Sequence, residues 1–445
     1  MTKTQLPAMS HLQPQSEDHL IDIIADTANL DGFGGYDLSG QGSKSFFGQL
    51  PSDESTEKPL ARLELAQLSG IKMYEPEELV MTIAAATPMD EINHALAQHH
   101  QNLAFALPDW RWMGGKAAMP RQQTAGGIVA ANLSGSERLK MGAVRDHVLG
   151  FRGVNGRGEL IKSGGRVVKN VTGYDLSKLI SGSFGTLAAL TEISFKIWPK
   201  AESEQTLMVA GLTDVEASQF MAVALNSPHD VHCAAHMPAN ACRHATHNAI
   251  RQSTTSQTLL RISGYQNSVA PRLESLRGYL QENVPELAGK SIEILVDSGD
   301  LWRELSDGRV FARLYDADRA GEDGIWRMSL APQTAPKFMA MLAESLPRDA
   351  APIWYYDWGG GLVWLYLHDM NGNASGHTIR HALAEFAKTN AGGGHATLLA
   401  AKPSLRRQDL VFEPLSPAQA QLVARIKHSF DPHHRLNPGR IYPNQ

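Results

Sequence analysis

Between Ser39 and Ser45 the chain reads Ser-Gly-Gln-Gly-Ser-Lys-Ser. Two glycines let the backbone turn several N–H groups to one side, while Ser43 adds a hydroxyl and Lys44 an ammonium. That set of donors suits a compact anion such as a diphosphate. The spacing excludes two commoner phosphate loops. Gly35 and Gly40 are spaced as in a Walker A loop, but Gln41 stands where its lysine must be. A Rossmann Gly-x-Gly-x-x-Gly fails because residue 45 is serine and no βαβ pattern surrounds it. Glycine is concentrated again downstream, in Thr124-Ala125-Gly126-Gly127, Asn132-Leu133-Ser134-Gly135 and Gly182-Ser183-Phe184-Gly185-Thr186-Leu187. Fifteen of the 39 glycines lie between Gly114 and Gly185 and six between Gly32 and Gly48, so the first half reads as the nucleotide-cradling part.

Other reactive side chains are sparse. His229, His232, Cys233, His236, Cys242, His244 and His247 crowd together, and His232 and His236 on a strand share a face. The segment then runs into Pro238-Ala239-Asn240 and lacks the paired short spacings of a structural zinc site, so no metal is expected. Cys233 and Cys242 are the only thiols, where an iron–sulfur cluster takes about four. A redox role therefore needs an organic cofactor, or a partner to carry the electrons away. His395, in Gly394-His395-Ala396-Thr397, is the one candidate base.

The elements that must hold these residues follow from periodicity. Leu79, Met81 and Ile83 predict a strand, and Thr87-Pro88 opens a helix with Met89, Ile92 and Leu96 as its stripe. Strands at 150–154 and 159–163 are joined by Asn155-Gly156-Arg157-Gly158, a hairpin turn, and Ile193, Phe195 and Ile197 alternate along another strand that ends at Pro199. Beyond Pro199 the pattern β-α-β-β-α-β occurs twice. It predicts one antiparallel sheet made of two related halves, with helices on one face. A last helix, capped by Ser416 with Pro417 at its first position, carries Leu422, Val423, Ile426 and Phe430 on one stripe.

A chain of 445 residues with a net charge of −5 has room for two or three domains and lacks the basic excess of nucleic-acid or membrane-surface proteins. Its first thirty residues contain no signal-peptide pattern, and no apolar run is long enough to span a bilayer, which points to the cytoplasm.

The phrases Gly40-x-Gly42-Ser43, Thr124-Ala125-Gly126-Gly127, Val148-Leu149-Gly150, Gly173-Tyr174-Asp175 and Gly182-Ser183-x-Gly185-Thr186-Leu187, in that order, resemble the FAD-binding domain of the vanillyl-alcohol-oxidase (PCMH) type. Within that superfamily the chain resembles the FAD-binding subunits of bacterial glycolate oxidase. The phrases that carry this are the run from Gly164 to Asp175, Asp357-Trp358-Gly359-Gly360, Gly394-His395-Ala396-Thr397, and Phe430-Asp431-Pro432 leading to Asn437-Pro438-Gly439-Arg440. Relatives have glycine before the helix-opening threonine, where this chain has Ala86.

The resemblance implies an α+β fold: a PCMH-type FAD-binding domain of two α+β subdomains, an antiparallel-sheet cap of ferredoxin-like halves, and a C-terminal return segment. The expected boundaries are 1–18 for an N-terminal tail, 19–200 for the FAD domain, 201–402 for the cap and 403–445 for the return. It also implies that N–H groups of Gly40, Gly42, Ser43 and Lys44 hold the diphosphate, with Gly126 and Gly127 closing from the other side and Thr124 adding a hydroxyl. Gly173, Gly185 and Leu190 are expected against the cofactor, and Asn437 beside the flavin ring. FAD is expected to be non-covalent, because the first half has no thiol and His147 stands in no attachment phrase.

Hydroxy-acid flavoenzymes of this superfamily carry a histidine-rich cluster in the cap, for which this chain offers only His395. The implied role is therefore that of an FAD-binding subunit in a complex oxidising glycolate to glyoxylate, beside a catalytic flavoprotein subunit and an iron–sulfur subunit. Two alternatives are a self-sufficient hydroxy-acid oxidase using His395 and Arg327, and a scaffold that has kept the fold without the cofactor.

Overall fold

The structure, a computed structural model, describes residues 11–50, 58–165, 173–319, 321–368, 376–390, 393–408 and 410–443. The middle of the glycine-rich phrase, 166–172, lies outside the described residues, as do residues 1–10 of the expected tail.

The glycine-rich first sixty residues support only short strands. Strands β1 (His11–Leu12), β2 (Tyr36–Ser39) and β3 (Ala61–Glu64) form a parallel sheet in the order β1-β3-β2. The helix Glu17–Ala25, capped by Ser16, closes on it through Leu20 and Ile24. Ordered elements therefore begin inside the segment expected as a tail, because burying those two side chains ties the chain down there.

A second sheet comprises β4 (Ile71–Glu75), β5 (Val80–Ala84), β6 (Gln101–Leu103), β7 (Val148–Asn155), β8 (Leu160–Gly164) and β9 (Ala188–Pro199). Its order is β4-β5-β9-β7-β8, with β6 also pairing with β9. The β7–β8 hairpin turns at Asn155-Gly156-Arg157-Gly158, where Asn155 Oδ1 accepts from the N–H groups of Arg157 and Glu159. Met89, Ile92 and Leu96 are buried on the helix Met89–Ala97, whose N-cap is Pro88 rather than the expected Thr87. The Thr87 hydroxyl instead bonds the carbonyls of Ala84 and Gly70, which closes the turn after β5.

Past Pro199, β10 (Ser203–Ala210), β11 (Cys233–Met237), β12 (Gln257–Gly264), β13 (Ile292–Val296), β14 (Gly324–Leu330), β15 (Ile353–Asp357), β16 (Leu362–Leu367) and β17 (Gly394–Ala401) build one antiparallel sheet. The order β13-β10-β12-β11-β15-β16-β14-β17 places two β-α-β-β-α-β halves back to back, joined at β11–β15 by the register pair His236↔Tyr356. The helices Asp214–Leu225 and Gln266–Asn283 cover one face of the first half, and Ala335–Ser345 and Gly376–Thr389 the same face of the second. The opposite face, including Met208, Ala235, Leu259, Ile325 and Trp364, shares a core with Phe47, Phe105, Trp110 and Ile193. The helix Gly299–Asp307 links the halves; it is nine residues long, too short for its periodicity to stand out, and it ends at left-handed Gly308.

The last helix, Pro417–Phe430, has the expected Ser416 capping box and Pro417 at its first turn. Leu422, however, is exposed, and the residue this helix buries is Lys427. The chain then returns to the first sheet, where Leu436 pairs in parallel with Tyr36. Among the described residues no helix is long and apolar enough to cross a membrane.

Candidate functional site

Where β2 ends, the loop 40–48 opens on a cavity of about 590 Å³ that runs between the first two sheets. Gly40, Gly42, Ser43, Lys44, Thr124, Gly126, Gly127, Gly185, Leu190 and Asn437 all line it, so residues more than 390 positions apart in sequence are brought together. Gly173 is not among the lining residues; it stands at an exposed turn before the helix Leu176–Ile180. His395 is also elsewhere, exposed on strand β17 opposite Ser329.

The loop is polarised. Among the described residues, the N–H groups of Gln41, Gly42, Ser43 and Lys44 donate to no protein acceptor. Its carbonyls, in contrast, are turned onto three arginines. Arg121 Nη1 donates to Gln41 O at 2.9 Å. Arg440 Nη2 donates to the carbonyls of Lys44 (3.1 Å), Ser45 (3.0 Å) and Phe47. Arg406 donates to those of Phe46 and Gly48. With the acceptors engaged on one side, the unspent donors gather on the other, which is the arrangement an anion needs. Gly42 permits the turn with φ +72°, and a Cβ there would stand 2.8 Å from Arg121 Nη1.

Lys44 is the one lysine lining the cavity among the described residues. Among the described residues it has no carboxylate within ion-pair distance, and its ammonium makes a single long hydrogen bond, 3.5 Å to Ser43 Oγ. Burial pushes this ammonium down to about 7, with Asp109 pulling the other way. Lys44, Arg62, Arg121 and Arg440 face the cavity against the carboxylate of Asp37. The excess of positive charge matches a ligand with two phosphate charges.

The opposite wall acts differently from the sequence expectation. Thr124 is the N-cap of the helix Ala125–Ala131, and its hydroxyl accepts from Gly127 N–H at 3.3 Å. Gly126 N–H is spent on Ala85 O at 2.6 Å. These two glycines therefore supply close approach rather than free donors: a Cβ on Gly126 would meet Ala85 at 3.0 Å. Gly40 is fixed in the same way, since its Cβ would lie 2.6 Å from Thr124 Oγ1. The hydroxyl of Thr124 keeps its own proton to donate.

Asn437 lines the cavity, yet its amide is engaged by the protein. Oδ1 accepts from Leu38 N–H at 2.7 Å and Nδ2 donates to Phe184 O at 2.7 Å. It pins the C-terminal return to β2 and to the segment before Gly185, so it positions the wall instead of offering a free group to a flavin ring. Gly185, with φ +71°, leaves space for it, as a Cβ would stand 3.0 Å from Asn437 Nδ2.

The structure adds Arg121, Arg440 and Phe184 to the cavity, and Arg406 behind the loop. Arg440 lies in the Asn437-Pro438-Gly439-Arg440 phrase and was within reach of sequence reading; Arg121 and Arg406 had no local signal. His147 is buried outside the cavity with Nε2 2.7 Å from Met141 O. The histidine-rich stretch does not gather: His236 bonds Thr258 and Asp214, and no metal-ligating group forms among the described residues. Cys233 and Cys242 are both buried, and burial pushes Cys233 well up and Cys242 to about 12, so neither is a thiolate at neutral pH.

Residues 12–164 match the family model of an FAD-binding domain. The chain is 31% identical over 409 residues to the glycolate oxidase subunit GlcE of Escherichia coli (strain K12), covering 91% of this chain and 92% of that protein. A shorter stretch of 85 residues is 44% identical to the glycolate oxidase subunit GlcD of Bacillus subtilis (strain 168), 19% of this chain and 18% of that one. In three dimensions the chain superposes on p-cresol methylhydroxylase with a TM-score of 0.66 at 15% identity, over 98% of this chain and 90% of the other. That last likeness concerns the fold alone. The loop of free N–H groups, the surplus cations and the close-packed glycines all fit FAD.

Proposed function

The chain belongs to the family of FAD-linked oxidoreductases that includes the glycolate oxidase subunit GlcE, and on that premise we propose that it is the FAD-binding subunit of an assembly oxidising glycolate to glyoxylate. In this reading residues 19–200 hold the cofactor, 201–402 form the cap and 403–445 close the site. FAD, when bound, supplies the two-electron acceptor. The N–H groups of residues 41–44 and the Lys44 ammonium take its diphosphate, the Thr124 hydroxyl donates from the facing wall, and Gly185, Leu190 and Phe184 give the apolar contacts. Arg121, Arg406 and Arg440 keep the loop in its donating conformation, and Asn437 keeps the walls at their spacing.

Electrons leave by way of partner subunits, a catalytic flavoprotein and an iron–sulfur protein. The observation that carries this part is the state of the thiols: the two cysteines are buried and protonated, so this chain has no ligands of its own for a cluster. The test is to purify the chain alone and with its co-expressed partners, and to record flavin spectra before and after glycolate. Flavin in both samples, with reduction by glycolate only in the assembly, is the expected result. Full reduction of flavin in the isolated chain would overturn the division of labour, and a colourless chain that cannot be reconstituted would overturn FAD binding.

A further inference from the structure

The helix Gly299–Asp307 ends against residues 109–112 of the first half of the chain. The last carbonyls of a helix need donors from outside it. Here Tyr355 OH donates to Leu305 O at 2.7 Å, Trp110 Nε1 to Ser306 O at 3.3 Å and Trp112 Nε1 to Asp307 O at 2.9 Å. The Asp307 side chain is buried; its Oδ1 accepts from Asp109 N–H at 2.6 Å and its Oδ2 from Arg309 Nε at 3.3 Å. Burial pushes this carboxyl up to about 6, with the Asp109 N–H and the Arg309 charge opposing. Two indoles and one carboxylate thus clasp the segment to the helix end.

From this clasp a series of hydrogen bonds runs to the diphosphate loop. Asp109 holds Arg111 at two points, Oδ1 accepting from Nε at 2.8 Å and Oδ2 from Nη2 at 2.9 Å. Arg111 Nη1 is left to donate to Arg121 O, 3.0 Å away. The Arg121 side chain is steadied by Ala117 O, 3.0 Å from Nε, and its Nη1 is the donor that holds Gln41 O. The backbone between the two arginines is gripped a second time, since Lys116 N–H faces Asp318 Oδ1 and Oδ2 at 3.3 and 3.2 Å. Gly115, with φ +64°, permits that approach: a Cβ there would stand 2.6 Å from Asp318 Oδ1. Of Asp307, Arg309, Asp109, Arg111 and Arg121, only the last lines the cofactor cavity.

We propose that Asp307 and Asp109 are positioning residues for the cofactor's diphosphate: acting through Arg111 and Arg121, they fix the carbonyl side of the loop 40–48 and so tie cofactor affinity to the seating of the cap. The geometry of the peptide unit makes the last step. Gln41 C=O and Gly42 N–H belong to one planar trans unit and point in opposite directions. Holding the carbonyl on Arg121 therefore aims the Gly42 N–H, one of the unspent donors, into the cavity. The linkage is reciprocal, so bound FAD should in turn steady the clasp. The inference rests on FAD binding by this cavity, and it needs neither glycolate nor a partner subunit.

The experiment uses the full chain stripped of cofactor. Flavin-fluorescence titration gives the FAD affinity. Amide hydrogen exchange, without FAD, follows Ser45 and Phe47, whose N–H groups bond Gly42 O and Lys44 O inside the loop. Asp307→Ala and Arg111→Met should each raise the FAD dissociation constant about three- to tenfold and speed that exchange by a similar factor. Asp307→Asn, which keeps an acceptor for the Asp109 N–H, should restore both. On an Arg121→Met background Arg111→Met should add nothing further, because the two act in series. Arg111 is partly exposed, so its variant keeps the test valid if Asp307→Ala misfolds. Unchanged affinity or unchanged exchange in folded Arg111→Met, or additive effects with Arg121→Met, would each overturn the proposal. A wild-type chain that takes up no FAD would overturn the function proposed above, and the exchange rates would still decide this inference.

Discussion

Lys427 Nζ lies 2.7 Å from Asp431 Oδ2, and both side chains are almost wholly buried. The ammonium also donates to Thr186 O at 2.7 Å and Leu436 O at 3.0 Å, while the carboxylate accepts from the N–H groups of Arg435 and Leu436. One pair thus ties the end of the last helix, the segment just before β9 and the return segment into one node. Removing one partner strands the other charge. Lys427→Met or Asp431→Asn should each lower stability by about 3–5 kcal/mol in urea unfolding. Replacing both by apolar residues should cost less than the sum, the mark of a coupled pair.

Cofactor affinity should depend on pH through Lys44. Its ammonium titrates at about 7 in the free protein, and a bound diphosphate favours the charged form. Below pH 7 the cation is already present; above it, binding must take up a proton. The FAD dissociation constant should therefore be nearly flat from pH 6 to 7 and rise up to about tenfold per unit beyond, following one-proton linkage. Lys44→Met should bind more weakly at pH 6 and lose the slope. Flavin-fluorescence titrations across this range measure both.

Arg440→Met removes the guanidinium that holds the carbonyls of Lys44, Ser45 and Phe47. Without it the loop can turn an acceptor toward the phosphates. We expect FAD affinity to fall by about tenfold to a hundredfold, corresponding to roughly 1.4–2.8 kcal/mol. Gly42→Ala tests the same loop from within, since its φ of +72° disfavours any side chain. Its affinity should fall while unfolding of the cap remains as in the wild type.

The seam of the cap should respond to acid. Asp214 accepts from Tyr356 OH (2.7 Å), Trp354 Nε1 (3.0 Å) and His236 Nε2 (3.3 Å), so the helix Asp214–Leu225 grips both strands of the seam, β11 and β15. Burial works to raise its pKa, but these bonds and the charge of His236 outweigh it and hold it below the usual range. A depressed carboxyl stabilises the fold above its unfolded value, about 3.9, and that contribution is lost as the pH falls through the folded value. Asp214→Ala should destabilise by about 3 kcal/mol at pH 7, and by progressively less in acid, read from melting curves.

How much of this was legible in the sequence follows from the range of the interactions. The cap's two halves were readable because each strand and helix carries its own local period, as in the Thr213 capping box and the alternation of β14. Gly40, Gly42, Ser43 and Lys44 were readable because a turn announces itself in adjacent residues. The partner of a carbonyl does not. Nothing near Arg406 or Arg121 says that their guanidiniums end on the loop 40–48, and Thr124 and Asn437 look like free polar groups until their backbone partners are seen. The parallel sheet β1-β3-β2 escaped for a related reason: strands of two to four residues have no period to read.

The arginine clamp also sets an order in time. Arg406 reaches Phe46 across 360 positions and Arg440 reaches Lys44 across 396. A nascent chain that has already emerged well past the second sheet holds the whole diphosphate loop in sequence, yet the loop's carbonyls still lack the guanidiniums that turn them away. Contacts of such separation form late, because the intervening chain must be ordered first. Tight cofactor loading is therefore expected late: a ribosome stalled before residue 440 should display a loop that takes FAD more weakly than the finished protein does.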